Sequence, residues 1–92
     1  MKVYFDNAAT TSIDVVVLEA MLPYLKEHFG NPSTQYSYGR DTRAAIEDAR
    51  KSIAQLINAQ PNEIIFTSGG TEANNMAIKG SVNNLGVQRI IT

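Results

Sequence analysis

Ser68, Gly69, Gly70, Thr71 and Glu72 are the residues whose types and order could do chemistry. They follow the β-branched and aromatic run Ile64-Ile65-Phe66-Thr67 and precede the helix-compatible residues Ala73-Asn74-Asn75, so the stretch spells strand, tight turn and helix N-terminus. A junction of this kind can hold an anion. Amides of the first helical turn point outwards without helical partners, and the aligned peptide dipoles put about half a positive charge at the same end. Gly69 and Gly70 place no side chain between those donors and a phosphate and can take positive φ where the chain turns, while Thr71 adds a hydroxyl. A Gly-Gly pair is also an ordinary tight connection between strand and helix. It is not a Walker phosphate loop, since no Gly-Lys-Ser/Thr follows, and it lacks the three-glycine spacing of dinucleotide sites. Glu72 constrains the geometry further. A carboxylate roughly 6 Å from a phosphate costs on the order of 2–3 kcal/mol per unit charge at an effective dielectric of about 20. Its side chain is therefore expected to turn towards a cationic or hydrogen-bonding partner.

Other ionisable residues offer less. Lys26, Lys51 and Lys79 fall on predicted helices and Lys2 opens a strand-like run, with no neighbour in sequence to desolvate any of them for imine chemistry. His28 reads as a surface residue complementing a helix C-terminus, and Arg40 and Arg43 are open to either anion contact or structural pairing. No catalytic residue and no metal ligand is assigned. The 92 residues carry a net charge of −1 and 43% hydrophobic residues, which excludes the composition of a disordered or nucleic-acid-binding chain. There is no cysteine, hence no disulfide framework or thiol chemistry within these residues. Met1-Lys2-Val3-Tyr4-Phe5-Asp6 reaches an acid before any apolar run develops, so neither a signal peptide nor a membrane span is expected, and a cytoplasmic location is.

The elements that position the junction can be read in order. Lys2–Phe5 has strand character and ends in the small, hydroxyl-rich segment Asp6–Ser12. Ser12 or Asp14 is expected to cap a helix with Leu18, Leu22, Leu25 and Phe29 at helical spacing, kinked or broken early at Pro23 and ended by Gly30-Asn31-Pro32. The stretch from Asn31 to Gly39 reads as an irregular loop, and Asp41–Asn58 as a scaffold helix. Its apolar stripe is Ala45, Ile46, Ala49, Ile53, Leu56 and Ile57, with Glu47 and Lys51 spaced to pair. Pro61-Asn62-Glu63 turns the chain into strand Ile64–Thr67, and a helix from about Thr71 frays towards Gly80 or Asn83-Asn84. After a turn at Asn84-Leu85-Gly86, Gln88–Thr92 reads as a second strand. The progression is α/β, with two core strands and one crossover, too few to close a parallel layer.

Three motifs in this order resemble the amino-terminal portion of cysteine desulfurases of the NifS/IscS-like branch, which are class V aminotransferase relatives of fold type I. They are Tyr4-Phe5-Asp6-Asn7-Ala8-Ala9-Thr10-Thr11, Phe29-Gly30-Asn31-Pro32-Ser33, and Ile64 through Asn75. The resemblance implies the first part of the fold-type I transferase fold, incomplete on its own. Residues 1–13 would belong to the small-domain side and substrate mouth, and residues 14–92 to the start of the large cofactor domain. It also implies pyridoxal 5'-phosphate as cofactor, with Gly70 and Thr71 at its phosphate and Asn7 and Ala8 at the substrate mouth, while the loop from Gly30 to Gly39 resembles an active-site-proximal segment. Two positions depart from the family pattern: Thr34 stands where a second serine is usual, and Tyr36 where a histidine is usual. Tyrosine keeps an aromatic body and a hydroxyl but not a proton that titrates near neutrality. The family's cofactor-stacking histidine, cofactor-anchoring lysine, acid facing the pyridine nitrogen, catalytic cysteine and carboxylate-binding arginine would all fall after Thr92.

The function so implied is conversion of L-cysteine to L-alanine, with sulfur passed to an enzyme persulfide for iron–sulfur cluster or thio-cofactor synthesis. A homodimer and a scaffold or other sulfur-acceptor protein are the implied partners, with no nucleic acid or membrane. This segment alone is expected to be inactive. A selenocysteine lyase or another class V lyase or transaminase remains open, because the reactive-atom contacts would lie later in the chain. So does a small non-enzymatic α/β module binding a phosphate ligand or a protein, which would require a stable core of its own.

Overall fold

The computed structural model describes residues 1–91, which fall into two compact units, Met1–Ser52 and Ile53–Thr92. In the first unit, helix α1 spans Val15–Lys26 and Asp14 is its cap. The Asp14 carboxylate accepts the Val16 amide at 2.8 Å and the Asp14 carbonyl accepts Leu18 N–H at 2.9 Å, satisfying donors the first turn would otherwise leave open. Pro23 sits inside α1 and its carbonyl accepts both Glu27 and His28 amides, at 2.8 and 2.9 Å. That double closure ends the helix three residues after Pro23. Phe29 therefore lies outside it, and Gly30-Asn31-Pro32 does not form the terminus expected of it. Val15, Val16, Val17, Met21 and Leu25 are all exposed, so α1 is apolar on more than one side.

Helix α2, Ser37–Leu56, begins four residues before the predicted Asp41 and runs through Gly39, shortening the irregular loop to residues 31–36. The cause is a close approach. A Cβ on Gly39 would lie 2.6 Å from the carbonyl oxygens of Asn31 and Thr34 and closer still to Thr34 Oγ1; one on Gly30 would lie 2.5 Å from the Tyr38 carbonyl. Glycine is a weak helix former, but here it lets the loop lie flush on the first turns of α2. Asn31 Oδ1 accepts Ser33 N–H at 2.9 Å and the Asn31 carbonyl accepts Thr34 Oγ1 at 2.9 Å. Arg43 donates from Nε and Nη2 to the Pro32 carbonyl at 2.9 and 2.6 Å, and from Nη2 to Thr34 O at 3.3 Å. Thr42 Oγ1 reaches the carbonyls of His28 and Tyr38, at 3.1 and 3.0 Å. Beside this knot, Tyr24, Thr42, Ala45, Ile46 and Ala49 line an open apolar groove of about 440 Å³. Glu47 pairs with Arg50 at 3.1 Å instead of Lys51, which pairs with Asp48 at 3.5 Å, because i+3 and i+4 partners are equally within reach on a helix.

The boundary between the units falls inside α2. In the second, Asn58 takes φ 55 after the helix, and Pro61–Glu63 forms one 3₁₀ turn instead of a simple bend. Glu63 Oε2 accepts the Gln60 amide at 2.7 Å and so fixes that turn. Helix α3 spans Gly70–Leu85, running past Gly80 to end beside the alternative limit at Asn83-Asn84, because Gly86 in the left-handed region (φ 65) caps it and donates to Ser81 O. Three segments with strand composition, Lys2–Phe5, Ile64–Thr67 and the described part of Gln88–Thr92, are not strands here; Thr92 itself lies outside the described residues. Ile64 and Phe66 do have partners, but a full parallel ladder draws its further strands from distant segments.

Ala54 is the one buried hydrophobic residue among those described. No described helix is long and apolar enough to cross a membrane. The loop knot of the first unit is thus held by close backbone approach and hydrogen bonds more than by a core. Gly39→Ala is expected to destabilise it by about 1–3 kcal/mol through overpacking, read as lost amide-exchange protection at Thr34 and Thr42 with α1 protection unchanged.

Candidate functional site

Helix α3 starts at the predicted Gly69-Gly70 turn. Gly69 is the cap residue, and the first amide donating within the helix is that of Ala73, to Gly69 O at 3.1 Å. The amides of Gly70, Thr71 and Glu72 therefore precede the helical ladder, and nothing among the described residues accepts from them. The left-handed conformation open to these glycines is not used: neither Gly69 nor Gly70 lies in that region. Gly69 is extended, at φ 169 and ψ 179, and Gly86 is the glycine in the left-handed region. A Cβ on Gly69 or Gly70 would meet no atom within 4 Å, so packing within the chain does not require glycine at either place. The missing side chains instead leave open space beside the amides. Thr71 is exposed, its hydroxyl without a partner among the described residues, and its carbonyl accepts Asn75 Nδ2 at 2.9 Å.

Glu72 turns to a hydrogen-bonding partner, and the partner is Ser68. One oxygen, Oε2, accepts Ser68 N–H at 2.8 Å and Ser68 Oγ–H at 2.6 Å. The Ser68 hydroxyl, then its amide, hold the Glu72 carboxyl below its ordinary range. The sequence signal for this pair was a serine four residues before a glutamate, a capping box displaced by one position. Thr67 Oγ1 donates to Gly69 O at 3.2 Å, fixing the approach to the turn from the other side.

Asn7 and Ala8 are the central residues of a turn in the first unit, where Ala9 N–H donates to Asp6 O at 3.1 Å, and both are exposed. Gly70 and Thr71 belong to the second unit. His28 lies beyond the end of α1, its ring tilted against Tyr24 at 5.9 Å between centroids. Arg43, one of the two candidate anion contacts, is engaged with backbone carbonyls of the 32–34 loop, a role with no clear signal in the sequence. Tyr36 is exposed in that loop.

Comparison with known proteins gives a consistent picture. Residues 3–92 match the family described as aminotransferase class-V. The chain is 63% identical over 79 residues to a protein of Dictyoglomus turgidum named cysteine desulfurase IscS, covering 86% of this chain and 20% of that one. It is 52% identical over 84 residues to a protein of the same name from Dechloromonas aromatica, covering 90% and 21%. A solved structure of a NifS-like protein superposes with a TM-score of 0.86 at 37% identity, covering 97% of this chain and 24% of that one. The described elements thus have the fold of the matching part of that protein, and the α/β class follows from it. The chain spans about a fifth of the length of the curated relatives it matches.

Because Glu72 is held below the ordinary carboxylate range by bonds to its ionised form, the Ser68–Glu72 contact is complete above that range and is lost as pH falls through the lower folded value. The Ser68 amide proton is expected to be invariant from neutrality down to about pH 5 and to move upfield on further acidification. Glu72→Gln should abolish that titration in a proton–nitrogen NMR series.

Proposed function

The chain belongs to the aminotransferase class-V family, and on that premise we propose that it is the amino-terminal segment of a pyridoxal-phosphate-dependent cysteine desulfurase. The reaction is conversion of L-cysteine to L-alanine, with the sulfur retained as an enzyme persulfide and passed to an iron–sulfur scaffold or another acceptor protein. The observation that carries this reading is the 63% identity to a protein named cysteine desulfurase IscS.

The donor set at α3 fits the cofactor's phosphate. Three outward amides, one hydroxyl and the positive end of a sixteen-residue helix converge where no side chain intrudes. Gly70 and Thr71 bind the phosphate, and Thr71 Oγ donates a further hydrogen bond. Glu72 keeps its charge turned onto Ser68. Bound pyridoxal phosphate supplies the electron sink for cleavage chemistry at the amino acid. Asn7 and Ala8 shape the substrate mouth on the small-domain side, residues 1–13, while residues 14–92 begin the cofactor domain. The enzyme is a cytoplasmic homodimer in this proposal, and the 92-residue segment has no turnover alone. A self-contained binding module would need a core, and Ala54 is the only buried hydrophobic among the described residues.

The full-length protein carrying this segment is expected to form alanine from L-cysteine when loaded with pyridoxal phosphate, the sulfur staying as persulfide until an added thiol reductant releases it as sulfide. Loss of the hydroxyl in Thr71→Ala should weaken cofactor retention about tenfold, the usual weight of a hydrogen bond to a charged group. Absence of alanine from the loaded wild-type protein would contradict the assignment.

A further inference from the structure

Ser68 and Glu72 are the two side chains at the junction that phosphate binding leaves without a task. Both donors of Ser68 go to one oxygen of Glu72, at 2.8 Å from the amide and 2.6 Å from the hydroxyl. The closed loop formed by this fork contains Gly69 and Gly70, the two residues of the segment with the widest backbone freedom. Thr67 Oγ1 braces the same turn through Gly69 O at 3.2 Å. The fork also commits the Ser68 amide and hydroxyl, while the amides of Gly70, Thr71 and Glu72 keep no acceptor among the described residues.

We propose that Glu72 is a positioning residue that holds the Ser68–Gly69–Gly70 turn in its anion-receiving shape before the cofactor phosphate arrives, and that withdraws Ser68 from the phosphate's donors. This rests on the phosphate reading of the α3 N-terminus. Glu72 acts on a dianion in two opposing ways. Its charge repels, but the carboxylate is solvent-exposed and turned onto Ser68. Its hydrogen bonds order two glycines that would otherwise lose their freedom only on binding, and a site ordered in advance binds more tightly. The ordering effect outweighs the charge, which fixes the sign of the test.

The test is equilibrium dialysis of the cofactor-free full-length protein against pyridoxal phosphate and, separately, pyridoxal, which lacks the phosphate. Wild type binds the phosphorylated ligand more tightly. Glu72→Ala is expected to weaken pyridoxal phosphate about tenfold and leave pyridoxal unchanged. Ser68→Ala, which removes only the hydroxyl arm, should fall between. Glu72→Gln, whose amide oxygen still accepts from Ser68 N–H, should recover part of the loss. Unchanged or tighter pyridoxal phosphate binding by Glu72→Ala would overturn the proposal, because charge would then outweigh ordering. An equal fall for both ligands would overturn it as well, marking Glu72 as merely structural. A wild-type protein that does not distinguish the two ligands would overturn the phosphate reading itself, and this proposal with it.

Discussion

Three amides at the start of α3 precede the helical ladder, and nothing among the described residues satisfies them. Burying such donors without an acceptor would cost about 1–3 kcal/mol each, but here they face open space beside two glycines. Their positive end of the dipole would ordinarily attract the nearest carboxylate, and Glu72 in the first turn is that carboxylate. It is drawn instead to Ser68, one residue before the cap. The two hydrogen bonds therefore close the turn and leave the adjoining donors open.

A second constraint is the amount of apolar surface the described residues leave uncovered. Val15, Val16 and Leu25 on α1, Leu56 and Ile57 at the end of α2, and Leu85 at the end of α3 are all more than half exposed. Helices of an α/β layer bury such faces against a sheet, and a parallel sheet needs strands gathered from separated parts of a chain. The match to about a quarter of a NifS-like protein's length fits this requirement. What the segment does hold firmly is local: the Asp14 cap, the loop knot around Gly39 and Arg43, and the turn at Ser68.

The sequence was most legible where structure is decided within four or five residues. Asp14 as one of two candidate caps, the start of α3 at Gly69-Gly70, and the turning aside of Glu72 all follow from local donors and acceptors. It was least legible where distant contacts decide. Lys2–Phe5, Ile64–Thr67 and the described part of Gln88–Thr92 have strand composition, but composition does not say which distant segments they pair with. The early start of α2 was hidden because Gly39 ordinarily weakens a helix, and only its contact with Asn31 and Thr34 shows why a glycine belongs there. At Gly69-Gly70 the left-handed conformation that glycine permits is not used, and open space lies beside the amides.

The central claim concerns those amides, and proton–nitrogen NMR of the full-length protein tests it most directly. On adding pyridoxal phosphate to the cofactor-free form, the Gly70, Thr71 and Glu72 amide protons should move strongly downfield together, as donors to a dianion do, while Ser68 stays where Glu72 holds it. If those three resonances stay fixed while the phosphate perturbs amides elsewhere, the α3 N-terminus is not its site and the account fails.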